Sequence, residues 1–145
     1  MSSNEIEIGP VDFLIVEWPV GKEPTGEGLE EVVKLSDRGI VRVIDLAFVR
    51  KETDGSVTGL SLADFEDDMS TFHGASTGLL TQSDYDEAGE ALEPGASAAI
   101  LVWENKWAAP FVSAMRRSGA QVVATGRIPV DDLLQSLDAL DEAQV

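Results

Sequence analysis

The chain has 145 residues, with 27 acidic and 10 basic side chains, so its formal net charge is −17 at neutral pH. Such a surface repels phosphate backbones and anionic lipids, which disfavours nucleic acid and membranes as partners and favours a basic protein or cations. The sequence has no cysteine and no run of about 18 apolar residues. We therefore expect a cytoplasmic protein with no disulfide, no soft-metal site and no membrane span.

The first half of the chain predicts a strand, a helix and a hairpin. Residues 11–18 form a strand with apolar side chains on both faces. A short helix follows, with aliphatic residues on its inner side and Gly39 as its C-terminal cap. A longer strand occupies 40–51. The turn Thr53-Asp54-Gly55-Ser56 then leads into a more polar strand at 56–62, because Asp-Gly accepts the positive φ of a tight turn.

The middle of the chain is acidic and then returns to a buried pattern. Residues 63–93 are weakly patterned until Ser83, which we expect to cap a helix with acidic residues in its first turn. A buried strand at 96–105 follows. The helix after this strand keeps Pro110 inside its first turn and ends at Gly119, since a later proline would break it.

Residues 120–128 predict the last main strand, and Pro129 opens a C-terminal helix with leucines along one side. The chain thus contains two strand–helix–strand units, each with an aromatic–carboxylate pair at the end of its first strand. Interleaved, they give a ferredoxin-like α+β fold, an antiparallel sheet with both helices on one face. The segment at about 53–95 is then an insertion with a hairpin and an acidic helix, and residues 1–145 form one domain.

The predicted strands are apolar on both faces, which a sheet with helices on only one face does not explain. In the first strand, Phe13 and Ile15 lie on one face, and Leu14 and Val16 on the other. An open sheet of this kind would exceed the few hundred Å² of apolar patch that a soluble monomer usually exposes. A second subunit, or the inserted and C-terminal helices, must cover it. We expect a homodimer through this sheet face.

Two carboxylates, Glu17 and Glu104, end the first strands of the two units, and we expect these ends to lie side by side. Carboxylates held close together can act as an acid–base pair or bind a cation, and tryptophans beside them can wall a pocket. The alternative is structural pairing with arginine or lysine, the commoner arrangement for buried carboxylates. The candidate ligand pocket consists of Glu17, Trp18, Asp45, Trp103, Glu104 and Trp107.

A cation site is the second candidate, because the only histidine follows an acidic run. One imidazole with several carboxylates suits a hard divalent ion. The spacing matches no calcium-binding loop, and the alternative is a solvated acidic turn. The candidate ligands are Asp64, Glu66, Asp67, Asp68 and His73.

The loop Thr25-Gly26-Glu27-Gly28 lies between a strand and a helix, the position of phosphate-binding loops. It lacks the third glycine and the lysine of such motifs, and the glutamate between the glycines opposes a phosphate. We therefore interpret it as a connecting loop.

Four motifs spread along the chain are distinctive. They are Gly9-Pro10-Val11-Asp12-Phe13, Arg42-Val43-Ile44-Asp45-Leu46 with Phe48-Val49-Arg50-Lys51, Asp54-Gly55-Ser56-Val57, and Leu101-Val102-Trp103-Glu104-Asn105 with Trp107-Ala108-Ala109. In these motifs the chain resembles an uncharacterised actinobacterial family, a domain of unknown function, over nearly its whole length. It is also distantly similar to a bacterial family in which the run 90–97 recurs and the insertion is glycine-rich and membrane-associated. Here residues 63–82 are short and acidic, which argues against membrane association. The resemblance implies no activity and no catalytic residue.

The sequence therefore favours an uncharacterised, non-enzymatic protein, a self-associating scaffold or regulatory module with an acidic surface and no cofactor. This interpretation depends on the two-sided apolar sheet and on the lack of a coherent catalytic set. The first alternative is a small-molecule-binding or enzymatic ferredoxin-like dimer with a tryptophan- and carboxylate-lined pocket. The second is a weak binder of divalent cations.

Overall fold

The structure, a computed structural model, describes residues 8–65 and 70–143, and for residues 70, 71 and 73 only the backbone. These residues form an antiparallel four-stranded sheet and four α-helices. The strands are β1 (Val11–Trp18), β2 (Arg42–Lys51), β3 (Val57–Leu60) and β4 (Ser97–Glu104). The helices are α1 (Glu27–Asp37), α2 (Gln82–Gly89), α3 (Ala109–Arg117) and α4 (Val130–Ala143), and short 3-10 helices occupy Leu62–Asp64, Ser70–Ala75 and Lys106–Ala108.

The strands lie in the order β1-β4-β2-β3, and every neighbouring pair is antiparallel. The unit β1-α1-β2 therefore places its two strands on either side of β4, as the predicted interleaving requires for the first half of the chain. The hairpin of β2 and β3 forms at the predicted Asp-Gly turn, where Gly55 has a φ of 91°.

Glycine caps end the helices where the sequence predicts them. At the end of α1, the N–H of Ile40 donates to the carbonyl of Leu35 at 3.0 Å, and the N–H of Gly39 donates to that of Ser36 at 3.0 Å. Gly39 has a φ of 72°, which side-chain-bearing residues rarely adopt. Gly119 ends α3 in the same way, with a φ of 90°.

The two faces of the sheet are covered by different helices, α1 from the first predicted strand–helix–strand unit and α2 from the inserted segment. The placement of both crossover helices on one face stays a prediction. Leu29 and Val33 of α1 pack with Phe48 and Ala99 on one face, here called the α1 face. Ala88 of α2 belongs to the cluster on the opposite face, the α2 face, which includes Val49, Leu92, Ala98 and Ile100. The sequence left two possible covers for this face, a second subunit or the chain's own helices. In the structure, α2 of the inserted segment covers part of it.

The N-cap of α2 lies two residues before the predicted cap, Ser83. Its N-cap is Thr81, whose N–H donates to the carboxylate of Asp84 at 2.8 Å in a capping box. Its last residue, Gly89, lies so close to β3 that a Cβ there would collide with the side chain of Val57. The contact with β3 therefore selects glycine at this position.

Two strand predictions differ from the structure. The strand β1 forms, but it is an edge strand whose residues are largely exposed rather than buried on both faces. Residues 120–128 form neither strand nor helix, and residues 121–143 are all exposed. An apolar alternating pattern becomes a strand only where a neighbouring strand pairs with it, and no described strand pairs with 120–128.

Backbone contacts divide the chain into two compact units, residues 1–114 and 115–145. The sheet, its two covering helices and the candidate residues below all belong to the first unit. The organisation of residues 1–145 as one domain stays a prediction.

Candidate functional site

The stretch around Asn105 forms a hydrogen-bonded corner at one end of the sheet. The side-chain amide of Asn105 donates to the carbonyl of Pro10 at 3.1 Å and to the carboxylate of Asp12 at 2.8 Å. Its oxygen accepts the indole N–H groups of Trp103 at 3.1 Å and Trp107 at 3.4 Å. One amide thus joins β1, the end of β4 and the following turn, which is a structural role for this motif.

Glu104 lies at the same corner with 4% of its surface exposed. One carboxylate oxygen accepts the N–H of Gly9 at 2.8 Å, and the other accepts Nε of Arg42 at 2.7 Å. The Gly9 hydrogen bond and then the Arg42 guanidinium hold the pKa of Glu104 below its ordinary value, against desolvation, which raises it. A Cβ at Gly9 would collide with the carbonyl oxygen of Asn105, so only glycine can bring its N–H to this carboxylate.

Asp45 is 1% exposed and holds the loop that precedes α2. Its carboxylate accepts N–H groups from Leu46 at 2.9 Å, Thr77 at 2.8 Å and Leu80 at 2.8 Å. The hydroxyl of Thr77 donates to the carbonyl of Ile44, at the irregular position in the pairing of β2 with β4. A carboxylate that accepts several backbone N–H groups is suited to fixing a loop.

Glu17 and Glu104 do not lie side by side, so this expectation from the sequence is wrong. In the antiparallel register Glu17 is opposite Ala98, whereas Glu104 is opposite Val11 at the other end of β1. Six residues of strand separate the two positions by about 20 Å. Glu17 instead accepts the N–H of Glu93 at 2.9 Å.

Trp18 lies at the same end of β1 as Glu17, on the α1 face. It lines a largely apolar cleft of about 590 Å³ between β1 and α1, together with Leu14 and Leu29. The predicted set therefore divides into three places: the corner with Trp103, Glu104 and Trp107, the loop clamp of Asp45, and the end of β1 with Glu17 and Trp18. Ligand binding by any of these residues stays a prediction.

The structure brings together one polar cleft that the sequence did not indicate. It has a volume of about 580 Å³ and includes two basic side chains, Lys22 and Arg50, with Thr25 and Ser97 on its wall. Arg50 comes from β2 and Ser97 from β4, where they are register partners. Because Lys22 and Ser97 are 75 positions apart, only the pairing of the strands could have revealed the cleft.

The candidate cation ligands are described only in part. The carboxylate of Asp64 accepts the N–H of Ser61 at 2.7 Å as part of a capping box, which gives it a structural partner. Glu66, Asp67 and Asp68 lie outside the described residues, and the side chain of His73 is not described. Within the described ranges, no three His, Asp or Glu side chains lie close enough together to hold a metal ion. Cation binding by the acidic segment stays a prediction.

None of the helices in the described ranges combines the length and the apolar content that crossing a membrane requires. Comparison with known proteins gives one result: the model of a family described as "Family of unknown function (DUF6325)" matches residues 7–143. No curated protein and no solved structure matches the chain.

Proposed function

The chain belongs to the DUF6325 family of unknown function, and we propose that it is a self-associating, non-enzymatic protein in which β1 pairs with β1 of a second copy. The observation that carries this proposal is the exposure of β1. Large apolar side chains are exposed on both of its faces: Phe13 by 66%, Val11 by 50%, Val16 by 41% and Leu14 by 38%. We keep the cytoplasm as the expected location, since the sequence has no cysteine.

The outer edge of β1 supports pairing with another strand. The sheet order places β1 at an edge, and eight residues there have no neighbour on the outer side among the described strands. Natural proteins usually protect such edges with charges, bulges or prolines, because unpaired N–H and C=O groups recruit other strands. The two acidic residues of β1 are exposed, but each carboxylate is held by a hydrogen bond, Asp12 from Asn105 and Glu17 from the backbone of Glu93.

Apolar grooves flank β1 on both faces of the sheet. The groove on the α1 face has a volume of about 590 Å³, and a groove of about 380 Å³ lies between β1 and α2 on the other face. A strand added at the edge of β1 would extend both faces, and its side chains would cover the exposed half of each groove. Burying this apolar surface is the main source of affinity that we propose.

The sequence of β1 suits a twofold antiparallel pair. A twofold axis perpendicular to the sheet places the same face of both copies on the same side. Residues paired across the two β1 strands must then lie on the same face, so their residue numbers are both odd or both even. With Leu14 on the axis, Phe13 faces the partner's Ile15 and Asp12 faces the partner's Val16. Asp12 and Glu17 lie on opposite faces of β1, so an even register never sets one opposite the other. With Leu14 on the axis Glu17 faces the partner's Val11, so this register sets no two carboxylates opposite each other.

We propose no catalytic role for the buried carboxylates. The oxygens of Glu104 accept Gly9 and Arg42, and those of Asp45 accept backbone N–H groups. A general base needs an oxygen free to take a proton from a substrate. The acidic surface supports a role in binding a basic protein partner, because the segment from Glu52 to Asn105 has no lysine or arginine.

The test is the mass in solution by size-exclusion chromatography with light scattering, from the low micromolar to the millimolar range. We expect the wild-type chain to reach twice its monomer mass, and the variants Phe13→Lys and Val16→Lys to remain monomeric. The matched control is Phe111→Lys on α3, because Phe111 is 65% exposed and Phe13 is 66% exposed. This control should associate like the wild type.

Two outcomes would overturn the proposal: a monomer at every concentration, or a dimer that neither β1 variant weakens. If the chain is a monomer, hydrogen exchange of the β1 amides shows whether the edge of β1 is protected within the chain or open to water. Slow exchange in a monomer would show that the edge of β1 is protected without a second copy. Fast exchange would mean that the edge stays open to water.

A further inference from the structure

The cleft beside Arg50 concentrates positive charge in a chain whose net charge is −17. The loop after β1 contributes Lys22 and Thr25, and the neighbouring ends of β2 and β4 contribute Arg50 and Ser97. All of these residues belong to the same compact unit. The cleft shares Pro24 and Thr25 with the groove on the α1 face, but Lys22, Arg50 and Ser97 line only the cleft.

The other two basic residues of β2 have structural partners. Arg42 donates to Glu104 at 2.7 Å. The ammonium group of Lys51 donates to the carbonyl of Gly89, the last residue of α2, at 2.9 Å and to that of Leu92 at 3.1 Å. Arg50 lies on the α1 face instead, next to Ser97, and no carboxylate of the described residues lies within the 4.0 Å of an ion pair. Among the described residues, its guanidinium thus has no acidic partner to compete with an anion from solution.

Ser97 adds a second hydrogen-bonding group to the wall. It is only 9% exposed, it lines the cleft, and its hydroxyl makes no hydrogen bond to the described residues. This hydroxyl is not an orphaned buried group, since none occurs among the described residues, so solvent in the cleft can supply its hydrogen bond and a ligand oxygen can replace that solvent. A ligand oxygen placed against Arg50 would be within the same small region as this hydroxyl, because Arg50 and Ser97 are directly opposite each other.

The loop that carries Lys22 is held by close backbone packing. The N–H of Lys22 donates to the carbonyl of Pro19 at 2.9 Å, and Gly21 between them has a φ of 86°. Across the cleft Gly95 has a φ of 87°, and a Cβ there would lie 2.9 Å from the side chain of Val20. The N–H of Gly95 is also fixed, since it donates to the carbonyl of Lys51. Two glycines thus allow the loop to approach the strand ends and bring Lys22 beside Arg50.

We propose that this cleft binds a small molecule with one carboxylate or phosphate group, held by Arg50 and Lys22. A guanidinium presents paired N–H donors that match two oxygens of such a group, and the ammonium adds a second positive charge. The volume of about 580 Å³ leaves room for a ligand body, which Pro24 and Phe65 would contact. Glu23 on the same wall repels further anionic groups, so the charge of the ligand lies at one end.

The experiment is a titration of the full chain followed by amide NMR shifts at constant ionic strength. The probes are benzoate and phenyl phosphate, which share a phenyl ring and differ in the anionic group. Inorganic phosphate serves as the probe without the ring. We expect saturable shifts centred on Gly21, Lys22, Gly95 and Ser97, for at least one of the two aromatic probes. Because the chain as a whole repels anions, non-specific binding would not select these amides.

Three variants test the assigned residues. Arg50→Gln should weaken binding by roughly ten- to a hundredfold, the loss typical of hydrogen bonds to a charged group. Lys22→Gln, on an exposed loop, should weaken it by about two- to fivefold. The matched control, Arg38→Gln at the exposed end of α1, removes the same charge away from the cleft and should leave affinity unchanged.

The proposal is overturned if neither aromatic probe shifts these four amides, or if Arg50→Gln binds as tightly as the wild type. An equal loss of affinity in Arg38→Gln would also overturn it, since it would show a response to net charge alone. Should Arg50→Gln fail to fold, Arg50→Lys keeps the charge and loses the paired donors. It is then expected to bind more weakly than wild type, and unchanged binding by both Arg50→Lys and Lys22→Gln would refute the assignment.

Discussion

Replacing Glu104 by glutamine tests whether this buried carboxylate is structural. The side chain is 4% exposed, and its two oxygens accept one N–H from Gly9 at 2.8 Å and one from Arg42 at 2.7 Å. Glutamine keeps the shape, but it offers one acceptor oxygen and turns an NH₂ group toward a donor. One of the two partners must therefore lose its hydrogen bond, and the charge that strengthens the other disappears.

The expected loss of unfolding free energy is about 2–4 kcal/mol. The bond from the buried N–H of Gly9 to a charged acceptor contributes about 1.5–3 kcal/mol. The Arg42 pair contributes only about 0.5–1 kcal/mol, because the arginine side chain is 56% exposed and solvent screens it. If Glu104 were instead held in strain for chemistry, its replacement would leave stability unchanged or raise it.

The pH dependence of stability tests the same structural role of Glu104, because the pKa shift fixes the direction of the change. The pKa of Glu104 is lowered in the folded protein, first by the Gly9 hydrogen bond and then by Arg42. A depressed pKa means that the stabilisation is present above the unfolded-state value, which is near pH 4.3, and is lost as the pH falls through the folded-state value. The stability difference between wild type and Glu104→Gln should therefore be constant near neutral pH and shrink below about pH 4.

Urea unfolding, measured at neutral pH and in steps through the acidic range, provides both quantities. The control is Glu31→Gln, because Glu31 pairs with Lys34 at 3.0 Å in an ion pair whose two side chains are 67% and 66% exposed. This control should change stability by less than about 0.5 kcal/mol. A loss below about 1 kcal/mol for Glu104→Gln, or a loss that does not shrink in acid, would refute the structural account.

Three further substitutions test the packing around the candidate residues, each by urea unfolding. Asp45→Ala should cost about 2–5 kcal/mol, because it orphans two backbone N–H groups of the loop that precedes α2, and a loss under about 1 kcal/mol would contradict the clamp. Asn105→Ala should cost about 1–3 kcal/mol and shift tryptophan emission, since two indole N–H groups lose their acceptor; an unchanged spectrum would count against the corner. Gly89→Ala should cost about 1–3 kcal/mol through its collision with Val57, whereas Gly28→Ala in α1 meets no atom within 4 Å and should not destabilise.

Local signals were sufficient to predict most helices and their ends. Gly39 and Gly119 end α1 and α3 because each satisfies the last carbonyls through hydrogen bonds within a few residues. Pro110 lies in the first turn of α3, as the missing N–H of proline requires. The sequence does not distinguish Ser83 from Thr81 as the cap of α2, because both residues are good N-caps and each has an aspartate three residues later.

Long-range pairing decided what the sequence could not show. Apolar residues on both faces of 11–18 fit a central strand and an exposed edge strand equally well, so the pattern does not distinguish them. The aromatic–carboxylate pairs at Glu17 and Glu104 looked equivalent along the chain. The antiparallel register sets them at opposite ends of β1, so their similarity in sequence carries no spatial meaning.

The three basic residues of β2 differ in whether the described residues provide a partner for their charge. This difference indicates a ligand site more clearly than the buried carboxylates do. In a chain with 27 acidic and 10 basic residues, any lysine or arginine near the sheet could be expected to find a carboxylate. Arg42 does, and Lys51 binds two carbonyls at and just after the end of α2, so removing either charge would disturb the fold. Arg50 has no carboxylate partner among the described residues and lies beside a cleft large enough for a ligand. A charge without an acidic partner among the described residues is a better candidate for ligand binding than a carboxylate whose oxygens already accept hydrogen bonds, which is why Arg50, rather than Glu104 or Asp45, is the residue to test.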